Sequence, residues 1–192
     1  MRFRVIYADP PWNFRNYSEK GNGRNANQHY SCMTIEELKR LPVASIADED
    51  CVLLMWATGP LLPVQLEVMA AWGFEYKTIG FSWMKGCQNG AVFMGGGYWT
   101  RSNAELCLLG TRGKPSRRSA AVRQAIYSVP GRHSEKPDLH DRIEALVDGP
   151  YIELFARREA RPGWTYLGNE VTGNTMEADL LSLADQPWLD FS

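Results

Sequence analysis

Apolar runs alternate with segments of helical spacing along the whole chain. Residues 3–8 and 51–57 are nearly continuous apolar runs, which are typical of strands covered on both faces. Further strands are predicted at residues 74–85, 105–110, 125–129, 151–155 and 164–167. Strands that alternate with helices predict an α/β domain of three layers with a mostly parallel sheet.

Helix signals fall between these strands. Thr34 with Glu37 three residues later predicts a capping box and a short helix to about Leu41. Helical spacing also covers residues 61–72 and the stretch opened by residues 134–138, and residues 114–125 are basic and predicted to be partly helical. The 192 residues fit one domain, predicted at residues 1–171, with an acidic tail at 172–192 that holds a helix near 176–183.

The most unusual polar stretch is Asp9-Pro10-Pro11-Trp12, directly after the first strand. The prolines fix the backbone and remove two donors, which leaves the carbonyls of Asp9 and Pro10 free to accept hydrogen bonds. Such acceptors beside a flat indole suit an exocyclic amino group on a planar base. A strand-ending turn with Trp12 in the core explains the tetrapeptide equally well.

The context of this tip favours a binding role. Residues 13–33 are polar and too long for a plain connection, which favours an active-site flap. In parallel sheets, ligands collect at the carboxyl ends of the strands. Here those ends bring together the tip, Thr58, Lys85 and the residues after Phe155.

Charge and cysteine content limit the kinds of function that the sequence is compatible with. The net charge is −1, but six basic residues and one acid lie between positions 101 and 123. That run is compatible with a nucleic-acid contact or with a solvated face. The four cysteines form no CxxC pair and have no histidine at ligand spacing, so neither metal nor disulfides are expected. The chain shows no signal peptide and no long apolar span, so a cytoplasmic protein is expected.

A family resemblance joins these features. The tip after an apolar strand resembles the DPPW signature of the MT-A70 type of adenine-N6 methyltransferases. The resemblance continues in the family's order through residues 54–58, 83–85, 105–113, 134–138, 152–157 and 168–170. It implies a Rossmann-like methyltransferase sheet that is permuted, with the catalytic strand first and the cofactor motifs last.

The resemblance implies S-adenosylmethionine as cofactor and DNA as substrate, by likeness to compact bacterial and phage members. Asp9, Pro10, Pro11 and Trp12 correspond to the catalytic tip, in which Trp12 is expected to stack on the target adenine. The residues implied in cofactor binding are Asp9, Ser134, Lys136, Glu153, Arg157, Asn169 and Glu170. Glu159, Ala160 and Glu170 differ from the family's pattern beneath the cofactor.

Aromatic and basic residues around the mouth are candidates for stacking on bases or contacting phosphates. They are Arg15, Tyr30, Lys85, Trp99, Arg101, Arg117 and Arg118. Some family members work as pairs, so the loop from Phe93 to Asn103 is a candidate homodimer contact or a DNA contact. An RNA adenine-N6 methyltransferase and a non-catalytic partner subunit are the alternative functions.

Overall fold

The fold is a single mixed sheet with short helices. The computed structural model describes residues 2–13, 33–97, 99–131 and 135–186. The strands are β1 (Phe3–Ala8), β2 (Ala47–Ala57), β3 (Glu75–Lys85), β4 (Ala104–Arg112), β5 (Ala125–Ser128), β6 (Tyr151–Leu154) and β7 (Trp164–Leu167). The helices are α1 (Ile35–Arg40), α2 (Leu62–Ala71), α3 (His140–Leu146), α4 (Asn169–Thr172) and α5 (Met176–Ala184).

The sheet has the order β5-β3-β4-β2-β1-β6-β7. Strand β4 is antiparallel to β2 and β3, and the other neighbouring pairs are parallel. The predicted α/β class and mostly parallel sheet are therefore confirmed. Since β1 lies between β2 and β6, the residue after it, Asp9, is placed near the centre of the sheet's carboxyl edge.

Two buried clusters cover the two faces of the sheet. One contains Ile6 and Leu53 together with Leu38 of α1, Met69 of α2 and Leu180 of α5. The other lies beneath α3 and contains alternate residues of the same central strands. Strands that are apolar on both faces can be buried in this way only between two layers of other elements. The three-layer arrangement expected from the apolar runs is thus present.

The first helix begins where the sequence predicts. The Thr34 hydroxyl accepts from the Glu37 N–H at 3.2 Å, and the Glu37 carboxylate accepts from the Thr34 N–H at 2.7 Å. This is a complete capping box. The Trp72 indole N–H, just after α2, donates to the Leu38 carbonyl at 2.7 Å and ties the first two helices together. No helix in the described part of the chain is long and apolar enough to cross a membrane.

The predicted helical character of residues 114–125 is wrong, because the structure has no helix between β4 and β5. The backbone N–H groups and side chains of residues 114–125 form hydrogen bonds with distant partners instead. The Lys114 N–H donates to Asp50 at 2.7 Å, and the Arg118 N–H donates to the Leu146 carbonyl at 2.7 Å. A segment whose donors serve tertiary partners cannot close helical turns.

Helix α3 starts later than residues 134–138 suggested. The Asp138 carboxylate accepts from the His140 N–H at 2.9 Å. That contact supplies an acceptor to one of the first backbone donors of the helix, which otherwise has none. Helix α3 therefore begins at His140, after Asp138 rather than beside Ser134.

The predicted helix near residues 176–183 is present as α5, and it packs on the body of the protein. Met176 and Leu180 belong to the first buried cluster, and Leu180 is fully buried. The boundary between a domain at 1–171 and a tail at 172–192 stays a prediction. Because α5 packs on the core, a substitution in α5 can measure how much this segment contributes to the free energy of unfolding.

Replacing Leu180 with alanine should lower the free energy of unfolding by about 2–4 kcal/mol, because it opens a cavity in the core. Leu181 is 49% exposed, so Leu181→Ala should cost less than about 1 kcal/mol. Urea unfolding of the two variants and the parent measures the difference. Equal loss in both variants would contradict the packing of α5 on the body.

Candidate active site at the carboxyl edge of the sheet

The residues that end the central strands meet at one mouth. In the strand register, Ala8 lies opposite Met55 and Leu154, so Asp9 follows directly at the same edge as the end of β2 and β6. Because β4 runs the other way, its first residues also reach this edge, and Glu105 pairs with Trp83 of β3. Side chains that are far apart in sequence therefore face one opening.

Four side chains of alternating charge lie across this mouth, in the order Lys85, Glu105, Lys136 and Asp9. The Lys136 Nζ lies 3.2 Å from Asp9 Oδ2 and 2.9 Å from Glu105 Oε2. Glu105 also forms an ion pair with Lys85 through its other oxygen. The side chains are between 13% and 36% exposed, so the chain of charges is shielded from bulk water but reachable. We call these four residues the charge chain.

The charges in this chain stabilise one another. Burial alone would raise the pKa of Glu105, but Lys136 and Lys85 outweigh it and hold that pKa below its usual value. Burial would lower the pKa of Lys136, but Asp9 and Glu105 raise it above the ordinary range. At neutral pH, Glu105 is therefore an anion and Lys136 a cation.

Aromatic rings form the floor beneath the two lysines. Lys136 Nζ lies 5.3 Å from the centre of the Trp56 ring, and Lys85 Nζ lies 4.9 Å from that of Trp83. The two indoles meet edge to face with centroids 6.3 Å apart. The Trp56 N–H donates to the Tyr7 hydroxyl at 2.6 Å. The rings fix the lysines by cation–π attraction and exclude water from below.

Backbone hydrogen bonds hold the Asp9–Trp12 tip in place. The Trp12 N–H donates to the Pro10 carbonyl at 2.8 Å, and the Met33 N–H donates to the Pro11 carbonyl at 3.1 Å. The expectation that the Pro10 carbonyl is free of local partners is therefore wrong. A carbonyl has two lone pairs, so Pro10 keeps capacity for a second hydrogen bond.

Trp12 itself is packed in the core. Its side chain is 6% exposed, and its indole N–H donates to the Trp56 carbonyl at 3.0 Å. This placement matches the alternative in which Trp12 anchors the turn. Its role in stacking on a base stays a prediction.

The residues implied in cofactor binding lie at the ends of β6 and β7. Glu153 is on β6, and Arg157, Asn169 and Glu170 are exposed on the segments that follow the two strands. Phe155, between them, has a φ of 64°, which is a strained value for a bulky residue and typical of functional sites. Ser134 lies outside the described residues.

The segments that follow β6 and β7 approach each other very closely. A Cβ on Gly168 would lie 2.1 Å from the Ala156 carbonyl oxygen, so only glycine fits there. The backbone between Phe155 and Arg157 and the start of α4 therefore sit side by side. This arrangement places carboxylate, guanidinium and amide groups on neighbouring segments at the edge of the sheet that also carries Asp9.

The structure brings together only some of the nucleic-acid candidates. Trp99 is fully exposed and Arg101 is exposed, both in the loop that leads into β4 at the mouth. Lys85 belongs to the charge chain. Arg15 and Tyr30 lie outside the described residues.

The exposed residues Arg117 and Arg118 are not placed at the mouth. Arg118 pairs with Asp148 and bonds to the Leu146 carbonyl, at the end of α3 from which the chain enters the start of β6. That is the edge opposite Asp9. Arg112 donates to the Ala44 carbonyl, also at the opposite edge. The basic run of the sequence is therefore divided between two sides of the protein.

Two polar residues of the site had no role in the sequence-based prediction. In the sequence, Glu105 stands out only as the single acid within the basic run and as the start of a strand that resembles the family's, and His140 does not stand out. The signals that could have revealed them are an acidic residue at the start of a buried strand and the Asp-x-His spacing of Asp138 and His140. In the described residues, no group of three or more His, Cys, Asp or Glu side chains could hold a metal ion.

Comparison with known proteins agrees with this geometry. The family model described as MT-A70 matches residues 3–170. The chain is 35% identical to the type II methyltransferase M.MunI of Mycoplasma sp over 201 residues, covering 92% of this chain and 81% of that protein. It is 29% identical to the human N(6)-adenosine-methyltransferase catalytic subunit METTL3, covering 98% of this chain but 32% of METTL3.

Replacing Glu105 with glutamine should lower the free energy of unfolding at pH 7 by about 2–3 kcal/mol, because Lys85 then loses its carboxylate partner and Lys136 keeps only Asp9. The pKa of Glu105 is lowered, so its contribution is complete above the ordinary value of 4.5 and is lost as pH falls through the lowered pKa. The difference between parent and variant should therefore shrink in acid. Urea unfolding at several pH values measures it.

The matched control is Glu75→Gln, which breaks an exposed ion pair with Lys77. That change should cost less than about 0.5 kcal/mol. If the two variants lose the same stability at pH 7, the charge chain does not stabilise the mouth.

Proposed function

The chain belongs to the MT-A70 family, and we propose that it transfers a methyl group from S-adenosylmethionine to the N6 amine of adenine in DNA. The family match spans most of the chain. Identity and coverage are both high for the bacterial type II methyltransferase, whereas the chain spans about a third of METTL3. This difference supports DNA over RNA as the substrate.

The observation that carries the proposal is the position of Asp9. Asp9 follows the central strand β1 at the carboxyl edge and is the first residue of the Asp9–Trp12 tip. The backbone of this tip is fixed by two hydrogen bonds. The Asp9 carboxylate is 36% exposed and lies beside the cation of Lys136. A rigid, reachable acceptor at that point can hold an amino group of a base in a fixed direction.

The cofactor site is proposed around the ends of β1, β6 and β7. The charges present fit S-adenosylmethionine, which carries a carboxylate, an ammonium, a sulfonium and a ribose diol. Lys136 would hold the carboxylate, Asp9 would face the positive groups and Glu153 would accept from a ribose hydroxyl. Ser134, Arg157, Asn169 and Glu170 complete the proposed set.

When bound, the cofactor supplies an electrophilic methyl group. The adenine amine is a poor nucleophile because its lone pair is delocalised into the ring. Asp9 and the second lone pair of the Pro10 carbonyl can accept its two hydrogens and direct the nitrogen lone pair. Correct orientation of the two reactants is worth about 7–11 kcal/mol at best. The Asp9 carboxylate also stabilises the positive charge that develops on nitrogen.

The nucleic acid is proposed to lie over the mouth and, if the protein is a monomer, over the loop from Phe93 to Asn103 as well. A target base in a duplex would have to leave the stack to reach Asp9. Trp99 and Tyr30 could stack on bases, at about 1–3 kcal/mol per base, with Trp12 fixing the tip. Lys85 and Arg101, which lie at the mouth, and Arg15 are the proposed phosphate contacts. Arg117 and Arg118 could touch only a substrate that extends to the opposite edge.

The parent protein should transfer tritium from labelled S-adenosylmethionine to a DNA pool in preference to a matched RNA pool, with N6-methyladenine as the product. Mass spectrometry of the digested nucleic acid identifies the base. Asp9→Ala should abolish turnover while keeping most of the cofactor binding, because it removes the amine acceptor. Asp9→Asn should be strongly impaired, since it keeps an acceptor but loses the charge.

Near-normal methylation by Asp9→Ala would overturn the mechanism. Transfer to RNA alone would replace DNA by RNA as the substrate. Cofactor binding without transfer to either polymer would favour a non-catalytic partner subunit.

We also propose that the loop from Phe93 to Asn103 forms a homodimer contact. Phe93, Met94 and Trp99 are 40%, 74% and 100% exposed, and this much apolar area is unusual on a free surface. The same loop could instead contact DNA in a monomer. The proposed substrate and cofactor are both intracellular, which supports a cytoplasmic location.

Light scattering after size exclusion should give about twice the 21.7 kDa monomer mass for the parent protein. The double variant Phe93→Ser, Met94→Ser should give the monomer, because it removes apolar contact area. Tyr76→Ser changes an aromatic residue that is 42% exposed outside the loop, and should leave the dimer intact. A monomeric parent protein would contradict the homodimer.

A further inference from the structure

A second buried polar cluster lies beside the proposed cofactor site. The His140 ring is almost fully buried at the start of α3. Its Nδ1 lies 2.6 Å from Asp138 Oδ1, and its Nε2 lies 3.2 Å from Glu153 Oε2. The hydroxyl of Tyr166 is 3.3 Å from the same Nε2. The imidazole therefore connects α3 to two adjacent strands.

Both ring nitrogens of His140 face hydrogen-bond acceptors. Asp138 and Glu153 are carboxylates, which accept but do not donate when ionised. The Tyr166 hydroxyl accepts from the Arg161 N–H at 2.8 Å and has the Arg161 carbonyl at 3.2 Å as an acceptor for its own proton. An imidazolium, with a proton on each nitrogen, offers a donor to both carboxylates at once.

The remaining charged neighbours do not oppose that state. On α3 itself, Asp141 and Glu144 pair with Arg161 from the loop before β7. From β1, the Tyr7 ring centre is 6.2 Å from that of His140, and burial raises the pKa of Tyr7, so it is neutral. The Trp164 ring packs at 4.4 Å and carries no charge.

The titration of His140 agrees with its contacts. Burial alone would lower the pKa of His140, but the hydrogen bonds that its ring donates to Glu153 and Asp138 outweigh burial and raise that pKa above its usual 6.5. A raised histidine pKa means that the contact is complete below about pH 6.5 and is lost as pH rises through the raised value. The imidazolium is therefore retained to a higher pH than that of an ordinary histidine.

We propose that His140 is a positioning residue that orients the Glu153 carboxylate for the ribose hydroxyls of S-adenosylmethionine, and that cofactor affinity falls as His140 loses its proton. This inference rests on the proposed function, because it takes Glu153 as a cofactor ligand. It adds a residue to that site and makes cofactor binding, rather than methyl transfer, the step that depends on this proton.

The physical reason is the geometry at Nε2. A neutral His140 has one N–H, and the shorter contact with Asp138 keeps it on Nδ1. The Nε2 lone pair then faces the Glu153 carboxylate at 3.2 Å, and the two groups repel. Glu153, whose side chain is 20% exposed, turns toward solvent and no longer presents a fixed acceptor.

The test is calorimetric binding of S-adenosylmethionine to the full chain across neutral pH. The parent protein should bind about tenfold more weakly once His140 is neutral, the loss of one charge-assisted hydrogen bond. His140→Gln keeps a donor but cannot titrate, so it should bind with intermediate affinity. The amino group of the cofactor also titrates in this range, so the signature is the part of the pH slope that the parent has and His140→Gln lacks.

Two further measurements separate positioning from a merely structural role. In a Glu153→Gln background, His140→Leu should cause no additional loss of affinity, because His140 acts through Glu153. In ring-nitrogen NMR of the three histidines, the signal absent from His140→Gln should be that of an imidazolium at pH 7.

A neutral His140 ring at pH 7, or equal pH slopes in the parent and His140→Gln, would overturn the inference while leaving the proposed function intact. A further loss from His140→Leu in the Glu153→Gln background would also overturn it. Failure of the parent protein to bind the cofactor at any pH would overturn the proposed function and the inference together.

Discussion

The sharing of Lys136 between two carboxylates is the interaction on which the mouth of this protein depends. Asp9 follows β1, Glu105 opens the antiparallel strand β4, and Lys136 comes from the segment before α3. One cation therefore joins three parts of the chain. A buried pair loses far more when one partner is removed than a surface pair does, so each member requires the others.

The aromatic floor explains why these charges remain fixed and reactive. Trp56 and Trp83 lie beneath Lys136 and Lys85, and they exclude water from one side of the chain of charges. In such a medium electrostatic interactions are stronger than in water, which favours a preorganised acceptor at Asp9 over a mobile one. The core therefore contributes directly to the proposed chemistry.

The two polar clusters have different roles in the proposed reaction. The charge chain presents Asp9 to the amine and to the charged end of the cofactor. The histidine cluster presents Glu153 from the neighbouring strand β6. In this proposal each carboxylate is oriented by a basic side chain, the partly buried Lys136 in one case and the buried His140 in the other. A carboxylate held this way keeps its charge and its direction without depending on solvent.

The sequence by itself determined the strands, the capping box at Thr34 and the acceptor tip at Asp9, because these depend on local polarity, periodicity and proline geometry. Only the tertiary structure decided which distant groups meet. It paired Glu105 with two lysines, placed Trp12 in the core and sent Arg118 to the opposite edge. It also removed the predicted helix before β5. Such outcomes depend on strand direction and on long-range hydrogen bonds, which no local pattern encodes.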